Sequence, residues 1–325
     1  MSLLPKATAV AHTIQGLIKY HGLKDKKRRL PYHDSISVCI EALTTTATIE
    51  YGNYPQDVID IDGRPAMKEE AHRILAVTTA LEKIANVKDH FRLSTVNNVK
   101  QGKGLGFSAS AFAAAALASC TALGLNMKRE RLSEIARLGA GSASRSLVGG
   151  FAIWYANRSG RSFARQLASA GKLKLAMAIV PVPSPVKTDM AHRESVTSPF
   201  FQSRLKEVKK NLKKMQYAVQ RRDVDEVARL AEADSLSLHA VTMTGKSRLL
   251  LMAPQTISVI NRIKSLREED HVPVWYSLDT GPSVYINTHP EFIDEVCREL
   301  RSSVNVGVIT SGVGGPARTS EEHLF

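Results

Sequence analysis

The stretch that most constrains this chain is NNVKQGKGLGFSASAFAAAALA, residues 97–118, a glycine-rich turn that runs straight into an alanine-rich helix. Gly102, Gly104 and Gly106 let backbone N–H groups turn toward an anion with no Cβ in the way. The helix that follows presents free donors and a partial positive charge at its start. Leu105 separates two of the glycines, and Ser108 and Ser110 add hydroxyls suited to a phosphate oxygen or to Mg²⁺. The pattern is neither the GxxxxGK[ST] loop nor a dinucleotide loop after an opening strand–turn–helix unit. Taken alone, it is equally well an ordinary glycine-capped helix start.

Around this loop the chain alternates between strand and helix patterns. Residues 6–14 and 35–50 are rich in β-branched residues and read as strands. Residues 66–87, 109–124 and 130–138 carry apolar positions at helical spacing, and 147–156 return to strand character. A polar stretch at 157–172 precedes the apolar run LKLAMAIVPVP, which places a boundary between two lobes, 1–170 and 171–325. The second lobe reads as helices at 198–220, 223–240, 253–267 and 289–302 with strands at 272–279, 283–288 and 304–310. A polar, loose tail is expected after Pro316. The class is α+β.

The formal charge of +13 attracts polyanions. The basic residues are spread apart from KDKKRR at 24–29 and KEVKKNLKK at 206–214, and no zinc finger, RNP motif or basic zipper is present. Small phosphorylated ligands also need positive charge, so nucleic acid is not expected as the partner. Cys39, Cys120 and Cys297 have neither zinc-ligand spacing nor a disulfide framework, and read as reduced, buried thiols. No run approaches the roughly 18–20 apolar residues of a membrane helix. The opening residues are too polar for a secretory signal, and a cytoplasmic location is expected.

Six segments in order carry a resemblance: AHTIQGLIKYHGLKDKKRRLPYHDSISV (11–38), the glycine-rich loop, IARLGAGSASRSLVGGF (135–151), DSLSLHA (234–240), SLDTGPSVY (277–285) and VGVITSGVGGP (306–316). Together they resemble the mevalonate diphosphate decarboxylases of the GHMP kinase superfamily. The loop matches the superfamily pattern at Gly104-Leu105, with Lys100 in place of its proline and Phe107-Ser108-Ala109 in place of Ser-Ser-Ala. The resemblance implies a GHMP kinase-like two-lobed α+β fold with the active site in the cleft between lobes, ATP and Mg²⁺ as cofactors, and a homodimer. It implies a two-step reaction, in which the C3 hydroxyl of a phosphorylated mevalonate is phosphorylated and the phosphate then leaves with CO₂.

The resemblance also implies roles. Asp279, before Thr280-Gly281-Pro282, would handle the proton of the C3 hydroxyl; on its own it reads more readily as a turn aspartate than as a catalyst. Arg145 would grip the substrate carboxylate through its planar fork, against the bland reading of a surface arginine. Lys19 would neutralise anionic substrate and orient Asp279, with Tyr20 and Ser142 beside the substrate. Gly102, Gly104, Leu105, Gly106, Ser108 and Ser110 would hold the nucleotide, and Ser108 the metal. Asp34, Ser35 and Ser37 lie near the substrate strand, though Ser35 and Ser37 read equally as sheet residues, and His239 reads as a packed helix histidine.

Two positions depart from the diphosphate enzymes. Ile14, followed by Gln15, replaces an asparagine, and Leu23 replaces a lysine that helps hold the diphosphate. Losing that cation removes a charge-assisted contact typically worth about 1.5–3 kcal/mol. The AHxIQGLxKYHG form instead resembles decarboxylases that take mevalonate 5-phosphate and release isopentenyl phosphate. His12, His21, Lys187, His192 and Arg193 are the candidates for its 5-phosphate, with KTDMAHR at 187–193 as a facing loop. The rival readings are a diphosphate decarboxylase, a 3-kinase without decarboxylation, against which Lys19 argues, and a nucleic-acid-binding module.

Overall fold

The computed structural model describes residues 6–99, 104–183, 186 and 188–325. The chain opens with β1 (Lys6–Ile18), a small hairpin of β2 (Leu23–Asp25) and β3 (Leu30–Pro31), then β4 (Ser35–Gly52), β5 (Val58–Ile61), β6 (Arg64–Pro65), α1 (Lys68–Ala85) and β7 (His90–Asn97). After the glycine-rich loop come α2 (Phe107–Ala122), α3 (Arg129–Gly139), the short α4 (Ala143–Val148), β8 (Phe151–Trp154) and β9 (Ala164–Ala168). The remainder holds β10 (Ala176–Val180), α5 (Thr188–Ser195), α6 (Phe201–Arg221), α7 (Val224–Met243), α8 (Pro254–Glu268), β11 (Val274–Leu278), β12 (Val284–Thr288), α9 (Ile293–Ser303), β13 (Ile309–Ser311) and β14 (Arg318–Ser320).

The first sheet runs β14-β1-β4-β7-β5-β6, with β8 and β9 attached along the other half of β4. β1 and β4 pair antiparallel from Lys6↔Glu50 to Ile18↔Ile36, with irregularities at His12/Thr13 and at Gly16/Ile18. Because β4 is long, its start pairs β8 and its end pairs β7. α2 has small or apolar residues on every side, as a helix covered along nearly its whole length must have, with Ser108 exposed at its start. Its alanines let it lie close against β1 and β4, inside a core completed by α1 and α3.

The second sheet runs β11-β12-β10-β13 and is antiparallel throughout. One face packs on α8 and α9. The other meets the first sheet in a shared core, where Leu17, Ile36 and Val38 lie with Met177, Ile179, Tyr285 and the inner faces of α6 and α7. That shared core brings the end of β1 against the end of β11.

Three segments differ from expectation. Residues 147–148 close α4, and strand geometry begins only at Phe151, after the left-handed Gly149 and Gly150 (φ +70° and +61°). The expected strand at 304–310 is only Ile309–Ser311. The tail beyond Pro316 is tied down: β14 pairs with β1 through Thr8↔Ser320 and Val10↔Arg318. Lys6 Nζ donates to the Phe325 carbonyl at 3.1 Å, and Arg92 sits 4.1 Å from the Phe325 ring centroid. A polar edge strand carries no local signal of its pairing, because the partner lies at the far end of the chain.

Candidate active site

Asp279 directly follows β11 and faces the end of β1. The Gly16 N–H donates to its Oδ1 at 3.0 Å, and His239 Nε2, on α7, donates to its backbone carbonyl at 3.0 Å. Glycine is required at 16, since a Cβ would stand 2.9 Å from that carboxylate oxygen and 2.6 Å from Lys19 Cγ. Desolvation holds the Asp279 carboxyl above its usual range, against the pull of Lys19, the Gly16 amide and Arg145. A carboxylate made more basic in this way can take or orient a hydroxyl proton.

Lys19 is 4% exposed. Its ammonium donates to Ser277 Oγ at 3.0 Å and to the Ala231 carbonyl at 3.2 Å, and lies 3.9 Å from Asp234 Oδ2. Burial lowers its pKa, opposed by Asp234 and Asp279. Asp234 is buried and also accepts the Lys19 backbone N–H at 2.8 Å and Arg204 Nη2 at 3.3 Å. Ser235 Oγ accepts the Leu278 N–H at 2.9 Å. The DSLSLHA segment is thus a brace: three side chains of α7 hold Lys19, Leu278 and Asp279 in register. Arg204, buried within the basic α6, was not found from sequence, because nothing distinguishes it there from solvated neighbours.

A second wall is Arg145 in α4, 2% exposed. Its guanidinium carbon lies 5.5 Å from the Tyr20 ring centroid and 5.9 Å from that of Trp154. Its Nε and Nη1 have no partner among the described residues. Burial pushes its pKa down to about 10, which leaves it ionised at neutral pH. Ser35 and Ser37 are buried with unpartnered hydroxyls. Strand alternation puts them on the face of Cys39, whose thiol is close enough to feel Arg145. An unmet buried donor costs about 1–3 kcal/mol, so this cluster calls for a polar, anionic occupant. Ser142 starts α4, its carbonyl accepting the Arg145 N–H at 3.1 Å, whereas Ser144 spends its hydroxyl on the Gly141 carbonyl at 2.7 Å.

The third wall is aromatic. His192, on α5, stacks on Tyr20 with ring centroids 4.9 Å apart and accepts the Gly22 N–H at Nδ1, 3.2 Å away. His21 lies 5.0 Å from His192, buried, with neither ring nitrogen partnered among the described residues. Burial brings His192 down to about 4 and His21 well below its usual value, so both are neutral at pH 7. His192 can therefore meet a 5-phosphate only as a neutral hydrogen-bonding group, and Arg193 is exposed. Cations come instead from Arg73 and Arg29, whose Nε atoms both donate to the Gly139 carbonyl, at 2.7 and 3.3 Å. Arg29 Nη2 also lies 3.7 Å from Asp189. Neither arginine was found from sequence: Arg29 ends the KDKKRR run and Arg73 sits in an ordinary helical pattern. His12 lies apart, in mid-β1, with Nδ1 3.1 Å from the Glu41 carbonyl.

The glycine-rich loop closes the group. Gly104 and Gly106 are left-handed, at φ +97° and +72°, and a Cβ on Gly104 would stand 3.1 Å from both Ser283 Oγ and the Val182 carbonyl. Leu105 is buried and anchors the loop in the shared core, while Ser108 is exposed in the first turn of α2. Ser110 is buried, with its hydroxyl taken up by Thr45 Oγ1 at 2.6 Å and the Phe107 carbonyl at 3.0 Å, so it does not face the loop's opening. Gly102 and Lys187 lie outside the described residues. No three His, Cys, Asp or Glu side chains form a metal cluster among the described residues.

Comparison with known proteins places this geometry. Residues 11–164 match the family model of the diphosphomevalonate decarboxylase-like N-terminal domain, and 186–313 that of the mevalonate 5-diphosphate decarboxylase C-terminal domain. The phosphomevalonate decarboxylase of Haloferax volcanii is 40% identical over 319 residues, covering 98% of each chain. The crystal structure of mevalonate diphosphate decarboxylase from Staphylococcus aureus superposes with a TM-score of 0.91 at 28% identity, covering 98% of each chain. The complex described as MDDEF with MVAPP, AMPPCP and magnesium superposes with a TM-score of 0.90 at 26% identity, covering 98% of this chain and 99% of that one.

Proposed function

The chain belongs to the mevalonate diphosphate decarboxylase family, with its GHMP kinase-like α+β fold, and from that premise we propose that it decarboxylates mevalonate 5-phosphate at the expense of ATP. The observation that carries the reading is Arg145: a buried, ionised guanidinium with two unpartnered donors, close enough to Asp279 for their charges to interact. A substrate carboxylate supplies what Arg145 lacks, and it sets the C3 hydroxyl toward Asp279.

Asp279 takes the C3 hydroxyl proton as that oxygen receives the γ-phosphoryl group of ATP. The C3–O bond then breaks and phosphate leaves with its electron pair. The C1–C2 bond supplies the electrons of the new C2=C3 double bond, and C1 departs as CO₂. Lys19, held by Asp234 and Ser277, keeps positive charge beside Asp279 so that its carboxylate stays available. Most of the phosphoryl-transfer barrier is met by positioning and fixed charge. Gly104, Gly106 and Ser108 form an open, donor-rich turn at the start of α2 that fits the phosphates of ATP. The Ser108 hydroxyl is the residue to hold Mg²⁺, which supplies charge neutralisation on the phosphates when bound.

The monophosphate is favoured by the 40% identical relative and by Leu23, an uncharged, partly buried side chain where the diphosphate enzymes keep a lysine. Arg29, Arg73, Tyr20, His21 and His192 form the wall for the 5-phosphate, the histidines as neutral hydrogen-bonding groups; Arg193 and Lys187 remain candidates at its rim. No described helix is long and apolar enough to cross a membrane. A cytoplasmic homodimer completes the reading, each protomer built of lobes 1–170 and 171–325 except that β14 returns to the first sheet. The test is product analysis after incubation with ATP and mevalonate 5-phosphate. Isopentenyl phosphate, CO₂, ADP and phosphate in equal amounts are expected. ADP with a bisphosphate and no CO₂ would make the protein a kinase.

A further inference from the structure

Outside the active site, α1, α3, the turn after β2 and the 158–162 turn enclose a cleft of about 510 Å³, within the size range of small-molecule sites. Five cations line it, Arg28, Lys83, Arg131, Arg137 and Arg161, against one acid, Glu134. That acid is already saturated: Arg161 Nε donates to its Oε1 at 2.8 Å and Arg131 Nη1 donates to its Oε2. Arg28 and Lys83 have no ion-pair partner among the described residues. Arg137 is only 7% exposed, with Nη1 on the Arg28 carbonyl and Nε without a partner. Asp25, the other acid whose charge reaches Arg137, already accepts the Arg28 N–H at 2.8 Å. Between the cations the surface is aliphatic, formed by Ile84, Ile135 and Leu138.

A buried guanidinium with an unmet donor calls for an acceptor. Four uncompensated positive charges call for an anion of more than one charge, and an aliphatic floor calls for a short apolar tail. We propose that this cleft is a second ligand site, for a small amphiphilic phosphate: a phosphate or diphosphate head on a branched hydrocarbon chain. The site shares two segments with the active site. Arg28 and Arg137 line the cleft, while the adjacent Arg29 bonds the Gly139 carbonyl and reaches Asp189 on the helix that carries His192. Occupancy is thereby placed to alter the active-site wall.

The experiment is calorimetric titration of 3-methylbutyl phosphate into the full-length protein, with inorganic phosphate and 3-methylbutanol as controls. Wild type should bind at two sites. Arg73→Ala, which strips a cation from the active-site phosphate wall, should keep one of them, at least about tenfold tighter than inorganic phosphate, a factor worth about 1.4 kcal/mol. Arg28→Gln and Lys83→Gln alter exposed side chains without ion pairs, so folding should survive, as thermal melts will check; each should weaken the retained site by about tenfold or more. A single site that Arg73→Ala abolishes would overturn the proposal. So would a retained site indifferent to Arg28 and Lys83, or one that binds inorganic phosphate equally well. Binding is read directly, so the result stands apart from which mevalonate is decarboxylated.

Discussion

Gly16 and Asp279 are 263 residues apart in sequence, yet the amide of one donates to the carboxylate of the other at 3.0 Å. The contact exists because β1 carries no side chain at this point. Gly16→Ala would put a methyl group 2.9 Å from the carboxylate oxygen and 2.6 Å from Lys19 Cγ. Displacing a reacting group by about 1 Å can cost roughly 10²-fold. Steady-state kinetics should therefore show kcat for Gly16→Ala falling by about that factor, with ATP affinity retained. Unchanged kcat would remove Gly16 and Asp279 from the reacting centre.

Asp279→Asn keeps the shape and the contact with Gly16 but cannot accept a proton. Turnover should fall about 10² to 10⁴-fold, the usual span for acid–base assistance. Nucleotide binding, measured by titration, should persist, because the glycine-rich loop is untouched.

Arg145→Lys keeps one positive charge and loses the planar fork. KM for the phosphorylated mevalonate should rise and kcat should drop, while ATP affinity stays within about twofold, well under the tenfold step of 1.4 kcal/mol. A loss confined to ATP binding would place Arg145 on the nucleotide side.

Stability should depend on pH through histidines that desolvation keeps neutral, three of them buried and His33 half-buried. His33, His192 and His239 are lowered by burial to about 4, and His21 well below its usual value. The unfolded chain binds protons near pH 6.5, while the folded chain resists them, so stability present above that pH is lost as pH falls toward 4. Each such histidine contributes about 1.4 kcal/mol per pH unit within the window. The raised carboxyls of Asp34, Glu82 and Asp279 act in the opposite sense, while His12, lowered by burial, and the hydrogen-bonded carboxyls of Glu50, Glu70 and Glu299, also lowered, add to the loss. Urea midpoints should fall between pH 7.5 and 5, and His192→Gln should flatten the slope. Equal midpoints at both pH values would show that these rings are protonated in the folded state.

Much of this site was legible because its residues sit in short, ordered motifs. Asp279, Lys19, Arg145 and the open glycines were each marked by neighbours as much as by themselves. What escaped was decided by burial. Arg204 and Arg73 look like surface cations in helical sequence, and only packing turns one toward Asp234 and the other onto the Gly139 carbonyl. His192 is a 5-phosphate candidate by sequence, but enclosure by Tyr20, His21 and Gly22 makes it neutral. Ser110 matched a hydroxyl position in the loop, but one turn along α2 its side chain points back to Thr45. In the fold, the long strands and amphipathic helices announced themselves through periodicity, whereas β14 depends on a partner more than 300 residues away.

The central claim is the choice of substrate, and the direct measurement is kcat/KM for mevalonate 5-phosphate against mevalonate 5-diphosphate under identical ATP and Mg²⁺. Leu23 offers no charge to a second phosphate, and Ile14 is buried against Cys39 and Ala109. A terminal phosphate there would be partly buried and poorly paired. The monophosphate should be favoured by at least about tenfold, or roughly 1.4 kcal/mol in transition-state binding, and Leu23→Lys should narrow the gap. A wild-type preference for the diphosphate would contradict the account.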